Sequence, residues 1–171
     1  MITALLAHPY PRFSVISIPL LEGLKEQFPQ MDIRALYDLY PDSSIDLWEE
    51  RKAVAHSSLI LVVHPVFWYS VPALLKKWFD EVLAYGFADA VKGKGVLWIP
   101  SLGTGYRDGE FPGEVEISEV EAPIRRMWTF CGAKWLDPEI IDSRQPLTPE
   151  QFSSIIDSLA DRIADWESYH V

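Results

Sequence analysis

The chain has 171 residues, of which 49% are hydrophobic, and this length and composition fit one domain with a full core. A formal net charge of −10 argues against a nucleic-acid surface, and a single cysteine, Cys131, excludes a disulfide framework, a CxxC redox pair and an iron–sulfur cluster. The four histidines lack metal-ligand spacing, the N-terminus lacks the basic region of a signal peptide, and no apolar run approaches the roughly 20 residues of a membrane span, so we expect a cytoplasmic protein.

Short runs of β-branched and apolar residues alternate with segments of helical periodicity along the chain. The predicted strands cover residues 2–7, 32–35, 59–63, 95–100 and 135–141. The first predicted helix is capped by Ser14, and the others cover residues 49–55, 72–83, 121–131 with Pro123 in the first turn and Gly132 as the C-cap, and 149–169 capped by Thr148. Residues 36–41 are predicted as a loop. The alternation favours one α/β domain over residues 1–171, with a doubly wound, five-stranded parallel sheet and helices on both faces.

The loop after the first strand is a candidate anion site. His8 closes the strand at the edge where open parallel sheets bind ligands, and Ser14 and Ser17 lie near the start of the first helix. Backbone N–H groups at a helix N-terminus attract phosphate, and the two hydroxyls and Arg12 would add donors and charge. The alternatives are that Ser14 only caps the helix and that neighbouring backbone satisfies His8.

Three consecutive aromatic residues occupy the loop after the third strand, where turn residues would be expected. Val66 and Phe67 lead into Trp68 and Tyr69, and the next helix is entered through Pro72. Because the loop leaves the carboxyl end of a buried strand, its side chains indicate a wall for a flat, conjugated molecule. The alternative is a cluster in the core or in a dimer interface, and both interpretations hold if the ligand lies at that interface.

The loop after the fourth strand is glycine-rich, and glycines allow the backbone to approach a ligand closely. Its candidate contacts are Ser101, Leu102, Gly103, Thr104, Tyr106 and Arg107. An ordinary glycine-rich turn is the alternative.

The sequence lacks the motifs of several other kinds of site. The chain has neither GxGxxG nor GxxxxGK[ST], which argues against a Rossmann dinucleotide site and a phosphate-loop NTPase. The first strand ends in Ala7-His8-Pro9, without the paired carboxylates of a receiver domain, and no GxSxG elbow of a serine hydrolase occurs. Cys131 lies in an apolar context that favours a structural thiol over a nucleophile, and His64 is interpreted as structural too.

The most specific string of the chain is His64-Pro65 through Trp68-Tyr69-Ser70-Val71-Pro72-Ala73-Leu74-Leu75-Lys76. Further matching segments are residues 7–11 with Ser14, 36–42, 45–46, 78–80, 86–88, 131–132 and 135–136. In these segments the chain resembles the flavodoxin-like NAD(P)H quinone reductases, and most closely the ancillary flavoproteins of glutathione-regulated potassium-efflux systems. The similarity covers nearly the whole chain.

The resemblance implies a flavodoxin-like fold, a homodimer, FMN or FAD bound without a covalent bond, and transfer in two steps. NADH or NADPH gives a hydride to the flavin and leaves, and a quinone-like acceptor takes its place. Carried over by matching position, the phosphate end is held by His8, Ser14 and Ser17. The ring is held by Val66, Phe67, Trp68 and Tyr69, and its other edge is bordered by Ser101, Leu102, Gly103 and Thr104. No metal is implied, and no catalytic side chain is singled out.

Two alternatives stay open beside this prediction. The chain is a regulatory ancillary subunit that docks on a potassium-efflux transporter at the inner face of the membrane, with weak or lost catalysis. Otherwise it is a flavin-dependent reductase of another acceptor, such as an azo or nitro compound.

Overall fold

The computed structural model describes residues 1–84, 87–103, 116–143 and 145–170, and a parallel β-sheet forms its centre. The strands run in the spatial order β2-β1-β3-β4-β5, and β6 also pairs with β4. The start of β4 pairs with β5, and its end pairs with β6. Their bounds are Ile2–Leu6 (β1), Asp32–Ala35 (β2), Leu59–Pro65 (β3), Gly95–Leu102 (β4), Lys134–Trp135 (β5) and Ile141–Asp142 (β6).

Helices cover both faces of the sheet. One face packs against α1 and α6, and the other packs against α2, α3, α4 and α5. The side chains of the central strands alternate between these two cores, since Ile60 and Val62 face one core and Leu61 and Val63 face the other. The helix bounds are Ser17–Gln27 (α1), Leu36–Leu39 (α2), Leu47–His56 (α3), Ala73–Val82 (α4), Ile117–Phe130 (α5) and Pro149–His170 (α6).

The predicted parallel sheet with helices on both faces is confirmed, but the prediction of one continuous fifth strand is wrong. The backbone N–H of Leu136 donates to Val96, and the next bond to β4 comes from Glu139 to Trp98. A regular ladder would use the N–H of residue 138, which is Pro138 and has none. One extra residue therefore bulges out at the proline, and the strand divides into β5 and β6.

Three further details differ from the sequence predictions. Residues 36–41 are not all loop, because they begin with α2. The helix that contains Pro123 begins at Ile117, so the proline lies inside α5 instead of in its first turn. Ser14 does not occupy the N-cap position of α1, which is held by Ile16, although its hydroxyl accepts from a backbone N–H of that helix.

Two helix ends follow the sequence prediction. Thr148 and Gln151 exchange backbone-to-side-chain hydrogen bonds at the start of α6, which is the reciprocal arrangement of a capping box. Gly132 follows α5 with a φ of 82°, a left-handed conformation that glycine adopts without a steric penalty. Among the residues described, no helix combines the length and the apolar character that a bilayer crossing requires.

Candidate functional site

The loops predicted to form the site meet at the carboxyl edge of the sheet. The N–H of Ala7 donates to the carbonyl of Val63 at 3.0 Å, and the N–H of Val66 donates to the carbonyl of Ser101 at 2.9 Å. The first loop also reaches the second through the rings of Tyr10 and Phe67, whose centroids are 6.3 Å apart. The structure therefore brings together the three predicted segments, residues 8–17, 66–69 and 101–103. The predicted residues Thr104, Tyr106 and Arg107 lie outside the described ranges.

The aromatic turn, residues 67–70, has a strained backbone. Phe67 and Ser70 exchange two backbone hydrogen bonds of 2.9 Å, and between them Trp68 and Tyr69 have φ values of 47° and 59°. Two successive left-handed residues are typical of a type I′ turn, which normally takes glycine or asparagine. A left-handed conformation costs other residues about 1–2 kcal/mol each.

Packing of the Trp68 side chain does not offset this strain, because that side chain is 91% exposed. Tyr69 is about half exposed, at 47%. Strain of this kind clusters at ligand sites and is kept where another requirement fixes the conformation. The geometry therefore favours a ligand or a partner chain, rather than the core of this chain, as the reason for the turn.

The first loop presents hydrogen-bond donors beside the N-terminus of α1. The Ser14 hydroxyl oxygen accepts from the N–H of Ile18 at 3.1 Å and still carries its own hydrogen for an outside acceptor. Ser17 is the first residue of α1 and is buried, and the first turn of this helix has no acidic side chain. The positive end of the helix dipole therefore faces this loop without a competing carboxylate on the same turn.

His8 is bonded to the backbone through one of its ring nitrogens. The Nδ1 atom accepts from the N–H of Tyr10 at 3.2 Å, as the structural alternative for His8 requires. Burial lowers the pKa of His8, which favours the neutral ring. A neutral ring that accepts at Nδ1 carries its hydrogen at Nε2, so that edge can still donate to a ligand.

Ser101 and Leu102 are the last residues of β4, and both are buried. The Leu102 side chain packs in the core on the α4 and α5 face, and its carbonyl accepts from the N–H and the hydroxyl of Ser143 at 3.0 and 2.7 Å. Gly103 is exposed, and a Cβ built on it would meet no atom of the described residues within 4 Å. Leu102 thus anchors this edge, while the backbone of Gly103 is open to a ligand.

A buried polar cluster close to the site escaped the sequence prediction. The carboxylate of Glu50, on α3, is fully buried and accepts from Tyr40 at 2.6 Å and from the Trp78 indole at 2.7 Å. Arg34 adds two bonds, from Nε at 3.0 Å and from Nη2 at 2.6 Å. Desolvation and this carboxylate raise the pKa of Tyr40 to about 12. The available sequence signal was helical spacing, which places Glu50 on the same inner face of α3 as the buried Val54.

His64 is structural, as predicted. Its Nε2 accepts from the indole N–H of Trp98 at 2.7 Å, and its Nδ1 lies 2.9 Å from the carbonyl of Pro65. Burial lowers the pKa of His64 to about 4, so the ring is neutral at pH 7 and donates from Nδ1. The bond from Trp98 ties β4 to β3, and the bond to Pro65 stays within β3, two residues before the aromatic turn begins.

Two further cavities are open at the surface. One, of about 560 Å³, adjoins the start of α1 at Val15 and Ile16 and is closed by residues 145–149 and Phe152. The other, of about 670 Å³, lies between the ends of α4 and α5, where Cys131 is half-buried. Burial, with the charge of Asp89, raises the pKa of Cys131, which agrees with a structural thiol. No cluster of three metal-ligating side chains occurs within the part of the chain described.

A parallel sheet in the order β2-β1-β3-β4-β5, with helices on both faces, is typical of the flavodoxin-like class of protein. Residues 1–166 match the family of that fold, and the chain belongs to it. Among its relatives is the glutathione-regulated potassium-efflux system ancillary protein KefF of Enterobacter sp. strain 638, which is 35% identical over 99% of both chains.

Solved structures share the fold. The general stress protein 14 of Treponema denticola, in complex with FMN, superposes with a TM-score of 0.80 at 26% identity, over 98% of each chain. An NADPH-quinone reductase from P. pentosaceus superposes with a TM-score of 0.79 over 100% of this chain and 98% of its own, and at 21% identity it supports the fold alone.

Proposed function

We propose that the chain is a single-domain, flavin-dependent NAD(P)H:quinone oxidoreductase, with FMN or FAD bound across the carboxyl edge of the sheet. One observation carries the proposal. Trp68 and Tyr69 hold a strained turn that leaves their side chains exposed, and this turn contacts the loop that leads into α1 through the rings of Phe67 and Tyr10. A flat ring with an anionic tail matches this pair of features, and the general stress protein 14, which has the same fold, is known in complex with FMN.

The described residues fit the two ends of such a cofactor. The ring would lie on Trp68 and Tyr69, with the backbone of Val66 and Phe67 along its rim, and Ser101, Leu102 and Gly103 would border its other edge. The hydroxyls of Ser14 and Ser17 and the Nε2–H of His8 would donate to the phosphate, in a position that the helix dipole of α1 also favours.

When bound, the flavin supplies the two-electron chemistry, accepting a hydride from NADH or NADPH and passing it to a quinone-like acceptor. The protein itself holds the flavin in position. Its exposed aromatic side chains hold the ring at the surface, where donor and acceptor can occupy the same place in turn. The neutral imidazole of His64, which lies three residues before the aromatic turn, adds no charge beside the ring.

The size of the cofactor is a separate question. FMN needs only the aromatic turn and the start of α1, whereas FAD needs room beyond the phosphate for an adenosine. The mostly apolar cavity of about 560 Å³ adjoins α1 at Val15 and Ile16, so it offers that room. Titration of the wild type and of Phe152→Ser with FMN and with FAD distinguishes the two cofactors, because only FAD binding should weaken when the cavity wall changes.

We also propose that the protein is a homodimer. Several large apolar side chains are exposed around the mouth of the site, which is unusual for a surface that stays in water. They are Tyr10 (59%), Phe13 (78%), Trp68 (91%) and Tyr69 (47%). A second copy laid over this rim would cover them and complete the acceptor pocket, so sedimentation equilibrium should give twice the mass of the chain.

The enzymatic proposal is tested by kinetics with purified, flavin-loaded protein. Oxidation of NADH or NADPH should depend on a quinone such as menadione, and reciprocal plots should be parallel, as expected when donor and acceptor use one site in turn. Azo and nitro compounds serve as comparison acceptors. If the loaded protein oxidises neither nucleotide with any of these acceptors, the proposal fails.

A second function is favoured by the relatives. Several proteins 35–41% identical to this chain are named potassium-efflux ancillary proteins. We propose as the alternative that this chain is a cytoplasmic subunit that binds a potassium-efflux transporter at the inner face of the membrane. Binding to the purified transporter in nanodiscs, with no nucleotide oxidation by flavin-loaded protein, would favour this role over catalysis.

A further inference from the structure

The short helix α2 contacts both the first loop and the start of α4, the helix that follows the aromatic turn. Tyr37 and Asp38 line a small cavity together with His8 and Pro11 of the first loop. The Tyr37 hydroxyl also accepts a hydrogen bond of 3.3 Å from the backbone N–H of Leu74. Because Leu74 lies in the first turn of α4, four residues after the aromatic turn ends at Ser70, α2 links the first loop to the helix into which the aromatic turn leads.

The bond to Tyr37 takes the place of a cap that α4 lacks. The N-cap position of α4 is Pro72, whose side chain accepts no hydrogen bond. The N–H groups of Leu75 and Lys76 donate to the carbonyl of Pro72, at 3.0 and 3.1 Å. The N–H of Leu74 is satisfied from outside the helix, by Tyr37. The first turn of α4 is thus held in place partly by α2.

A second connection joins α2 to the next turn of α4. Tyr40 directly follows α2, and its hydroxyl donates to one oxygen of Glu50, while the indole of Trp78 donates to the other oxygen. Trp78 lies four residues after Leu74 on the same side of α4. Two successive turns of α4 are therefore bonded, directly or through one carboxylate, to the same short helix.

We propose that Tyr37 is a positioning residue for the flavin site, which fixes the aromatic turn relative to the first loop through its bond to Leu74. The inference rests on the proposed function, because it assigns Tyr37 an effect on flavin binding without contact to the flavin. It extends that function, since Tyr37 belongs to none of the three loops that we place around the cofactor.

The test compares Tyr37→Phe, which removes only the hydroxyl, with Tyr169→Phe, where the tyrosine is 83% exposed near the end of α6. Loss of one hydrogen bond that orders the site should raise the dissociation constant for FMN by roughly three- to tenfold. The circular dichroism of bound FMN should change as well, whereas Tyr169→Phe should leave both unchanged. A Tyr37→Phe protein that is less stable but binds FMN within twofold of the wild type would overturn the inference.

A double-mutant cycle isolates the connection to the aromatic turn. If Tyr37 acts through the position of Trp68, the effects of Tyr37→Phe and Trp68→Ala on FMN binding should be less than additive, whereas Tyr169→Phe with Trp68→Ala should be additive. Additive effects for the Tyr37 pair would contradict the inference.

Failure of the proposed function gives a different result. If the wild type binds neither FMN nor FAD, the proposed function is wrong. Amide hydrogen exchange of the flavin-free protein then tests whether Tyr37 still positions the start of α4. Faster exchange of the Leu74 amide and of the preceding turn in Tyr37→Phe, with no change in α6, would support the positioning role. Unchanged exchange at Leu74 would refute it.

Discussion

The buried carboxylate of Glu50 joins three elements of the fold, so its neutralisation should have a large and specific effect on stability. Glu50→Gln keeps the shape of the side chain and creates no cavity. The amide nitrogen, however, must face either the indole N–H of Trp78 or the donors of Arg34 and Tyr40. At least one donor then loses its acceptor, and the guanidinium loses its counter-charge.

The expected size follows from burial. Breaking a buried ion pair by removing one partner costs about 3–5 kcal/mol. The Glu50 side chain is 0% exposed, but that of Arg34 is 18% exposed, so water compensates in part. We expect the free energy of unfolding to fall by about 3 kcal/mol. With a denaturant slope of about 2 kcal/mol/M, this lowers the urea midpoint by roughly 1.5 M.

The assay is urea unfolding at pH 7 followed by circular dichroism, with Glu49→Gln as the matched control. Glu49 is the neighbouring residue, its side chain is 48% exposed, and its nearest cation, Lys52, is 3.9 Å away. Its neutralisation should cost about 0.5 kcal/mol or less. If Glu50→Gln and Glu49→Gln have the same midpoint, the carboxylate does not hold these elements together and the reasoning is wrong.

Three further predictions concern His64, which precedes the aromatic turn, and the residues proposed to bind the ring and the phosphate of the flavin. The pKa of His64 is about 4 in the fold against an ordinary 6.5, so its contribution to stability is full above pH 6.5 and is lost as the pH falls towards 4. His64→Gln, which can still accept from Trp98, should flatten the pH dependence in that window by on the order of 3 kcal/mol. Trp68→Asn should stabilise the protein by about 1 kcal/mol, because asparagine tolerates a left-handed backbone, while FMN binding weakens about tenfold. Ser14→Ala should cost about 1 kcal/mol of stability and weaken FMN about tenfold, while riboflavin, which has no phosphate, binds within twofold of the wild type.

Each of these three predictions has an outcome that would contradict it. A wild-type pH profile in His64→Gln would show that the ring is protonated alike in the folded and unfolded chain. Destabilisation by Trp68→Asn would mean that the indole packs on this chain after all, and Trp48→Asn, at another exposed tryptophan, controls for general effects on FMN binding. Equal weakening of FMN and riboflavin by Ser14→Ala would separate the first loop from the phosphate.

The elements that the sequence predicts well are those that are buried on both faces. Residues 59–63 form a continuous apolar run because helices cover both sides of β3, and such a run has few alternative structures. The location of the candidate site follows from the same pattern, since His8, the aromatic turn and Ser101 each lie at or just after the carboxyl end of a parallel strand. Parallel strands bring such residues to one edge without any knowledge of side-chain contacts.

The elements that the sequence predicts poorly depend on tertiary contacts. β5 and β6 are separate because regular pairing would place Pro138, which has no N–H, opposite the carbonyl of Trp98. The register that aligns these two residues cannot be read from the sequence. The Glu50 cluster is equally hidden, since Glu50 stands in a charged stretch and its partners come from three distant segments. Strain at Trp68 is visible only in the backbone angles, because the local sequence has no glycine to mark a left-handed turn.

Binding of FMN by the purified, flavin-free protein tests the central claim most directly. Titration followed by flavin fluorescence should saturate at one FMN per chain, with strong quenching by the aromatic turn, and the complex should stay yellow through gel filtration. If neither FMN nor FAD is quenched or retained at concentrations at which the general stress protein 14 of Treponema denticola binds FMN in a parallel titration, the turn is not a flavin wall and the account is contradicted.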